Sequence, residues 1–485
     1  MREQSHEKRQ RTALREVLSG ISQDHVRQQT PVSFPVKIPG LGEALCLRVF
    51  RVIVGKRIVC LGQADAGKMI VKLYLARHGA RSHWRRSERG CKAFVEKGVP
   101  APGVLFSGYL PEHGVYALVL EYLEGGTRVD RSLEAIHDNA DRGAVLDALV
   151  AALAHHHARG ILQQDLHLGN FMIREGGIYS LDGDQVRSGS RPVGRKGSFR
   201  NLARLLASLP TVSGPAGDAR ITAYAGARGW EISGRETRWI EKEARRIRDR
   251  KLGEYLDKVY RSKDPFVARS DKDGFSVHDR RHEDVSLSAI LEAAGQLSRS
   301  RRAADVPGYS RVLVNGKDML VWPSTGFGPL LLRRLWPAAR VWKKALMLGR
   351  LGVETLQPVA LVGRRKGLLQ WDCSVFFKPA PGIPLKELMT YGSLSHQDTE
   401  QIAENLADAF SLLGGMGIVM DRVDPEEFLV SGDRIVILGL DAAQRGSPGG
   451  RRRQSRALRA FLSQPGVSPA VRKIFIDQFT GRGLI

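Results

Sequence analysis

Asp165, Asn170 and Asp182 stand at a spacing suited to the movement of a phosphoryl group. The first two lie in Gly160-Ile-Leu-Gln-Gln-Asp-Leu-His-Leu-Gly-Asn-Phe-Met-Ile173, and the third in Tyr179-Ser-Leu-Asp-Gly-Asp184. Transfer of the γ-phosphoryl of ATP asks little covalent chemistry of a protein; the site must orient an acceptor hydroxyl and hold metal against the phosphates. In such a site Asp165 takes the hydroxyl proton, while Asn170 and Asp182 offer hard oxygen ligands to Mg²⁺. Aspartate and asparagine are also common turn residues, so the reading depends on what surrounds them.

The surroundings agree. Val145, Leu146, Leu149, Val150 and Leu153 recur at helical spacing, and Gly160 can end that helix. Phe171-Met-Ile and Ile178-Tyr-Ser-Leu read as short strands on either side of a Gly-Gly turn. The expected order is helix, loop, hairpin, metal carboxylate. Gly62-Gln-Ala-Asp-Ala-Gly-Lys-Met69 imitates a P-loop, but Met69 replaces the metal-binding hydroxyl and the residues that follow have strand character. Ala64-Asp-Ala-Gly67 is read as a turn between two strands. His155, His156 and His157 are consecutive, so they point to different sides of a helix and cannot share one ion.

The loop resembles the Asp-Leu-His-x-Gly-Asn catalytic loop of kinase-like small-molecule and glycan kinases. It is most similar to the lipopolysaccharide core kinases of the Kdo/WaaP group, with its InaA-like members. The resemblance implies a protein-kinase-like fold, ATP and Mg²⁺ as cofactors, and heptose or Kdo of the lipopolysaccharide inner core as acceptor. Met69-Ile-Val-Lys72 and Glu88, ahead of Lys97-Gly-Val-Pro-Ala-Pro102, match the family's strand lysine and helix glutamate. Lys72 and Glu88 are thus expected to pair and clamp the α and β phosphates. Ala117-Leu-Val-Leu-Glu-Tyr-Leu-Glu-Gly-Gly126 resembles the adenine-binding hinge, with Glu121 in it. His167 stands where many protein kinases carry a lysine, and either contacts the transferred phosphoryl or orders the loop. One departure concerns the phosphate lid, where Arg51-Val-Ile-Val-Gly-Lys-Arg-Ile-Val-Cys60 has the single Gly55.

Composition bounds the partners. The 485 residues exceed one ordinary core. Four cysteines, at 46, 60, 91 and 373, show neither a disulfide framework nor zinc spacing. The first residues lack the apolar core of a secretory signal, and no apolar run reaches spanning length. A cytoplasmic protein, peripheral on the inner membrane, is expected. A net charge of +24 implies attraction to anionic surfaces or substrates. Lipopolysaccharide core or its lipid-linked precursor, the anionic membrane surface and other core-assembly enzymes are the expected partners. The basic clusters at 77–89, 243–251 and 451–456 lack regular aromatic interleaving, which argues against a nucleic-acid groove. For 243–251 a solvated helix face is expected, and Ser447-Pro-Gly-Gly-Arg-Arg-Arg453 reads as an exposed basic loop.

The second half repeats the first in degenerate form. Gly417-Ile-Val-Met-Asp-Arg-Val-Asp-Pro-Glu-Glu-Phe-Leu-Val430 aligns with 160–173 at an offset of 257, and Arg434 to Asp441 continues over 177–184. Arg422 then replaces Asp165, Glu427 replaces Asn170, Gly439 replaces Asp182, and Trp322 takes the lysine position. The sequence therefore implies an α+β fold of two tandem protein-kinase-like units, each with a small β-rich N-lobe and a helical C-lobe. Residues 1–261 would be the competent kinase and 262–485 a pseudokinase opened by a hairpin at 264–278. The alternatives are a protein or other small-molecule kinase of the same fold and a non-catalytic envelope-assembly scaffold.

Overall fold

The computed structural model describes residues 33–485 apart from 76–77, 137–138, 210–214, 283, 301, 304–307, 330–333, 335, 391–394, 433, 446–449 and 465–466. The chain is mixed α and β and divides into two compact units, 1–209 with 215–244, and 210–214 with 245–485. The division falls inside a helix, upstream of the boundary expected at residue 262.

The first unit opens with β1 (Phe34–Ile38), β2 (Gly42–Ile53), β3 (Arg57–Ala64) and β4 (Gly67–Tyr74), then α1 (Ala80–Glu96), β5 (Val104–Leu110) and β6 (Val115–Glu121). These strands form one antiparallel sheet in the order β1-β2-β3-β4-β6-β5, curled enough to bring β1 to β5. Alternation of side chains along β4 decides what each face holds. Met69, Val71 and Leu73 enter a core with Val36, Ile58 and Val119, whereas Tyr74 joins Leu118 and Leu120 against Ala80 and Cys91 of α1. Lys72 lies on the α1 side by the same alternation. Each fully buried Val or Leu contributes roughly 1.5–3 kcal/mol.

The helical part follows: β7 (Thr127–Arg128), α2 (Val129–Ala135), α3 (Asn139–Ala158), β8 (Ile161–Gln163), a 3₁₀ turn (Leu168–Asn170), β9 (Phe171–Arg174), β10 (Gly177–Ser180), β11 (Val186–Ser188), α4 (Arg195–Leu206), α5 (Pro215–Ala227) and α6 (Gly234–Leu256). The expected helix, Gly-Gly hairpin and β3–β4 turn are all present. Gly160 adopts φ +78° at the end of α3, a conformation that glycine takes without a Cβ penalty.

The second unit contains β12 (Phe266–Ser270), β13 (Gly274–Asp279), α7 (Leu287–Ser300), β14 (Arg302–Ala303), β15 (Ser310–Val314), β16 (Lys317–Phe327), α8 (Pro337–Arg350), β17 (Gln357–Arg365) and β18 (Gln370–Lys378). Next come β19 (Ile383–Pro384), α9 (Leu385–Thr390), α10 (His396–Gly415), β20 (Ile418–Met420), a 3₁₀ turn (Pro425–Glu427), β21 (Phe428–Ser431), β22 (Arg434–Ile437), β23 (Ala443–Arg445), α11 (Gly450–Leu462) and α12 (Pro469–Gly481). The hairpin expected at 264–278 forms, and β13 pairs with β17 at one edge of the sheet. From β20 to β23 every element lies 257 residues beyond its counterpart from β8 to β11. Trp322 faces Val375 across β16 and β18, as Lys72 faces Leu118 across β4 and β6, and Val375 is itself 257 residues beyond Leu118.

Two local expectations are corrected. Gly450 to Arg453 begin α11 rather than continuing a loop, because the apolar spacing of Leu458, Phe461 and Leu462 extends a helix back over them; 447–449 lie outside the described residues. The 243–251 run is not uniformly solvated. Ala244, Ile247 and Arg248 are buried on the inner side of α6, and burial lowers the Arg248 guanidinium to a pKa of about 10. Arg77 and the N-terminal segment through residue 32 also lie outside the described residues. The four cysteines are free and buried.

Trp342 is fully buried in α8, where its indole N–H donates to the Val259 carbonyl at 3.0 Å. Replacement by alanine leaves a large void and an unpaired carbonyl, so Trp342→Ala should cost about 3–5 kcal/mol, read from the denaturant midpoint of unfolding.

Candidate functional site

Lys72 reaches its partner because β4 is an inner strand, paired on both sides, with position 72 opposite Val59 and Leu118. The β-branched and aromatic residues around it favour a strand, and no helix follows Gly67, so the P-loop imitation ends as expected. The buried ammonium meets Asp182 Oδ1 at 3.3 Å. Burial alone would lower the Lys72 pKa, but Asp182 outweighs it and holds the ammonium well above its ordinary value. Burial would likewise raise Asp182, and Lys72 reverses that, so the carboxyl sits below its usual range. The pair is charged at neutral pH.

The expected Lys72–Glu88 pair is absent: Glu88 pairs with Lys92 on its own helix at 2.9 Å. Ser87, Gly90 and Cys91 are buried on α1, and the half-buried Glu88 at their flank is taken up by Lys92 one turn on. A Cβ on Gly90 would lie 1.9 Å from the Gly183 carbonyl oxygen, and one on Gly183 would lie 2.4 Å from the Cys91 nitrogen. Backbone therefore touches backbone where α1 meets the Asp182-Gly183-Asp184 turn.

Asp184 forms an ion pair with Arg57, the first residue of β3. Arg57 follows Gly55, which turns the chain between β2 and β3 at φ +67°, so this pair ties the expected lid hairpin to the metal turn. Arg57 Nε and Asp184 Oδ1 are buried without a hydrogen-bond partner. Asp184 was visible in the sequence as the second aspartate of Asp-Gly-Asp. Arg57 gave no signal, since its partner lies 127 positions away.

Asp165 and Asn170 come together through the 3₁₀ turn. The Asn170 amide nitrogen donates to the Asp165 carbonyl at 2.9 Å, which commits the nitrogen as donor and presents the amide oxygen as an acceptor. The Leu181 N–H donates to the Asn170 carbonyl at 2.9 Å, which ties the metal turn to the loop. The Asp165 carboxylate is half exposed, with His167 Nε2 3.9 Å from it. Arg128 pairs with Asp130 and packs over Gly169, where a Cβ would meet its Nη2 at 2.6 Å. Glu121 ends β6, accepts the Gly103 N–H at 3.3 Å and lies 3.7 Å from Arg174.

Three histidines support the loop from α3. His155 contacts the Gly98 carbonyl at 3.2 Å. His156 is buried between Phe94 and Phe171 and reaches Ser180 at 3.3 Å. His157 is held by Tyr224 and by Asn201 Oδ1 at 2.9 Å, and Asn201 donates to the Gln163 carbonyl at 2.8 Å. Burial pushes His156 down to about 3 and His157 to about 4, so both are neutral supports.

The donors suit Mg²⁺ brought by a nucleotide. Asp182 and Asn170 supply two hard oxygens, and Mg²⁺ commonly completes its shell with phosphate and water. Among the described residues no group of three or more His, Cys, Asp or Glu forms a cage of its own. The metal would screen transferring charge, with Lys72 next to it as a fixed cation.

At the matching place in the second unit, Arg422 forms bonds of 2.6 and 3.1 Å to Glu427 Oε1 and one of 3.3 Å to Asp441. Glu427 Oε2 is buried without a hydrogen-bond partner and lies 2.5 Å from where a Cβ on Gly439 would be. The Glu427 side chain thus fills the space beside the residue aligned with Asp182.

No protein-family model matches the sequence, and no curated protein matches it. Among solved structures the chain is similar to the kinase domain of Mycobacterium tuberculosis PknI and to a point mutant of that domain. Each is 17% identical with a TM-score of 0.28, over 44% of this chain and 97% of that one for the former, and 41% and 95% for the mutant. A likeness at that score does not decide a fold, and the chemistry is read from the side chains.

The backbone contact makes Gly183→Ala and Gly90→Ala informative. Each must separate α1 from the metal turn, and a loss of about 1–3 kcal/mol is expected from overpacking, measured by thermal or denaturant unfolding. Acid stability has a defined sign. His156 and His157 titrate lower in the folded state than the ordinary 6.5, so their share of stability is full above 6.5 and declines as pH falls toward 4 and 3. Asp182 adds a further loss below its ordinary 3.8. Melting temperature should fall from pH 6.5 to 4, and His156→Gln should flatten that slope in calorimetry.

Proposed function

We propose that the first unit is an ATP- and Mg²⁺-dependent phosphotransferase acting on an alcohol acceptor, with a heptose or Kdo hydroxyl of the lipopolysaccharide inner core as that acceptor. The observation that carries the reading is the meeting of Lys72, from the sheet, with Asp182, 110 positions later in the turn after the β9–β10 hairpin. A strand lysine, a metal carboxylate and an amide locked to the neighbouring base are the parts that phosphoryl transfer needs.

Asp165 takes the acceptor proton, Asn170 and Asp182 hold Mg²⁺, and Lys72 steadies the phosphates. His167 lies beside Asp165, at the edge where the acceptor enters. Glu88 has no part in this arrangement, and the α1 surface at Ser87, Gly90 and Cys91 positions the metal turn instead. The sugar acceptor is supported by the Asp-Leu-His-x-Gly-Asn resemblance and by the charge of +24, which favours an anionic partner such as lipopolysaccharide core or its lipid-linked precursor. Work at the cytoplasmic face of the inner membrane, beside other core-assembly enzymes, goes with that acceptor. No helix among the described residues is long and apolar enough to cross a membrane. The second unit is a kinase-like repeat without catalysis, since Trp322, Glu427 and Gly439 stand where lysine, amide and metal carboxylate would be needed.

ATP with Mg²⁺ should raise the melting temperature of the whole chain. Asp182→Ala should abolish the shift, while Glu427→Ala should leave it unchanged. Asp165→Ala should keep nucleotide binding and lower turnover about 10²–10⁴-fold. Mass spectrometry of the lipopolysaccharide core from cells with the intact gene, a deletion or Asp165→Ala identifies the acceptor. Loss of one core phosphate in both altered strains is expected; an unchanged core would turn the search to a protein or small-molecule acceptor.

A further inference from the structure

The β17–β18 turn of the second unit carries an apolar tip that its own fold holds out in solvent. Every residue from Arg364 to Gln370 is exposed. Leu368 is 82% exposed and Leu369 53%, and Phe327, which faces Gln370 from the end of β16, is 67% exposed. A single surface leucine needs no explanation, but contiguous large apolar side chains on a projecting element do.

The tip is rigidly mounted. The Arg365 guanidinium donates to the Gly367 carbonyl at 3.0 Å and to the Leu368 carbonyl at 3.4 Å, closing the turn. The Gly328 N–H donates to the Leu369 carbonyl at 2.8 Å. Beneath, the indole N–H groups of Trp336 and Trp371 donate to the carbonyls of Phe327 and Gly328 at 2.8 and 3.2 Å. The two indoles lie 5.5 Å apart with Phe275 against both. Gly326 and Gly363 admit these rings, because a Cβ at either would collide with Trp336 or Phe275. Backbone order is thus already in place, and exposing the tip costs solvation that no contact among the described residues offsets.

We propose that this turn is a finger that seats in an anionic lipid surface. Three apolar side chains fall far short of the roughly 20–30 residues a side of a stable protein interface, yet they suit shallow entry into the headgroup and acyl boundary. Arg364, Arg365 and Lys366 stand beside them, with Asp372 the acid paired to Lys366 at 3.0 Å. Cations so placed meet anionic headgroups within a Debye length, and the +24 charge of the chain draws the protein to the same surface. The proposal rests on the reading that the protein works at an anionic membrane, and it names the residues that touch it.

The test is sedimentation of the full chain with vesicles of phosphatidylcholine alone or mixed with phosphatidylglycerol, for the intact protein and for Leu368→Ser with Leu369→Ser, which removes apolar surface without changing charge. The intact protein should bind the mixed vesicles and weaken in high salt, and the double variant should bind at least about tenfold more weakly with an unaltered melting temperature. A Leu368→Trp variant should show a blue-shifted emission on mixed vesicles relative to buffer. Equal binding by the double variant, or no emission shift, overturns the finger while the membrane reading stands. Failure of the intact protein to bind mixed vesicles overturns both.

Discussion

Two cations on neighbouring strands are satisfied by two carboxylates of one turn, and the geometry of the first unit follows from that requirement. Lys72 on β4 and Arg57 on β3 are drawn out of bulk water, where an unpaired charge would cost several kcal/mol. Asp182 and Asp184 answer them one each. Gly183 between the carboxylates has backbone against α1, so the turn is fixed from three directions: two strands and a helix. The 165–170 loop then follows, because Leu181 bonds to Asn170 and Asn170 bonds to Asp165. Charge neutralisation on the sheet thereby sets the position of Asp165, which lies outside it.

The same arrangement explains what could be read from sequence. The α3 helix, the Gly-Gly hairpin and the 3₁₀ turn were legible because their signals are local: apolar spacing, a glycine pair and a short polar loop. Lys72 was legible as the charged residue ending a β-branched run. Glu88 misled because a lysine one turn along its own helix, Lys92, takes its carboxylate, a pairing that an Arg- and Lys-rich helix offers at every turn. The buried residues that meet the 182–184 turn, Gly90 and Cys91, carry no functional signature in an Arg-rich segment. Arg57 was hidden for a different reason: nothing in sequence distinguishes a strand arginine that meets a carboxylate 127 positions on from one that meets water. The basic segment at 450–453 was misplaced because its glycines and arginines mask the start of an amphipathic helix whose apolar residues begin several positions later.

The second unit shows that side-chain replacements at matching backbone positions are mutually consistent. Element spacing from β20 to β23 repeats that from β8 to β11, so the backbone frame is kept. Within it a longer acidic side chain, Glu427, occupies the amide position and a glycine occupies the carboxylate position. These two changes fit each other. Glu427 needs the room that Gly439 leaves, and Arg422 supplies the charge that a buried glutamate requires. Burial raises the Glu427 pKa, and Arg422 offsets that only in part.

Building a metal site there by one substitution is therefore sterically opposed. An aspartate at 439 would drive its Cβ into Glu427 before its carboxylate could reach a cation. An asparagine at 427 would free that space but strand Arg422 with Asp441 alone, and Trp322 would still fill the place of the lysine. The sheet side differs just as coherently: in the first unit a buried lysine demands an acid from the turn, whereas an indole at the same register demands apolar neighbours and packs beside the main core. Without a buried cation on the sheet, no acid is needed at position 439. The two units thus share a frame of strands and turns from β8 to β11 and β20 to β23, while only the first pairs a buried sheet lysine with an acid of the turn.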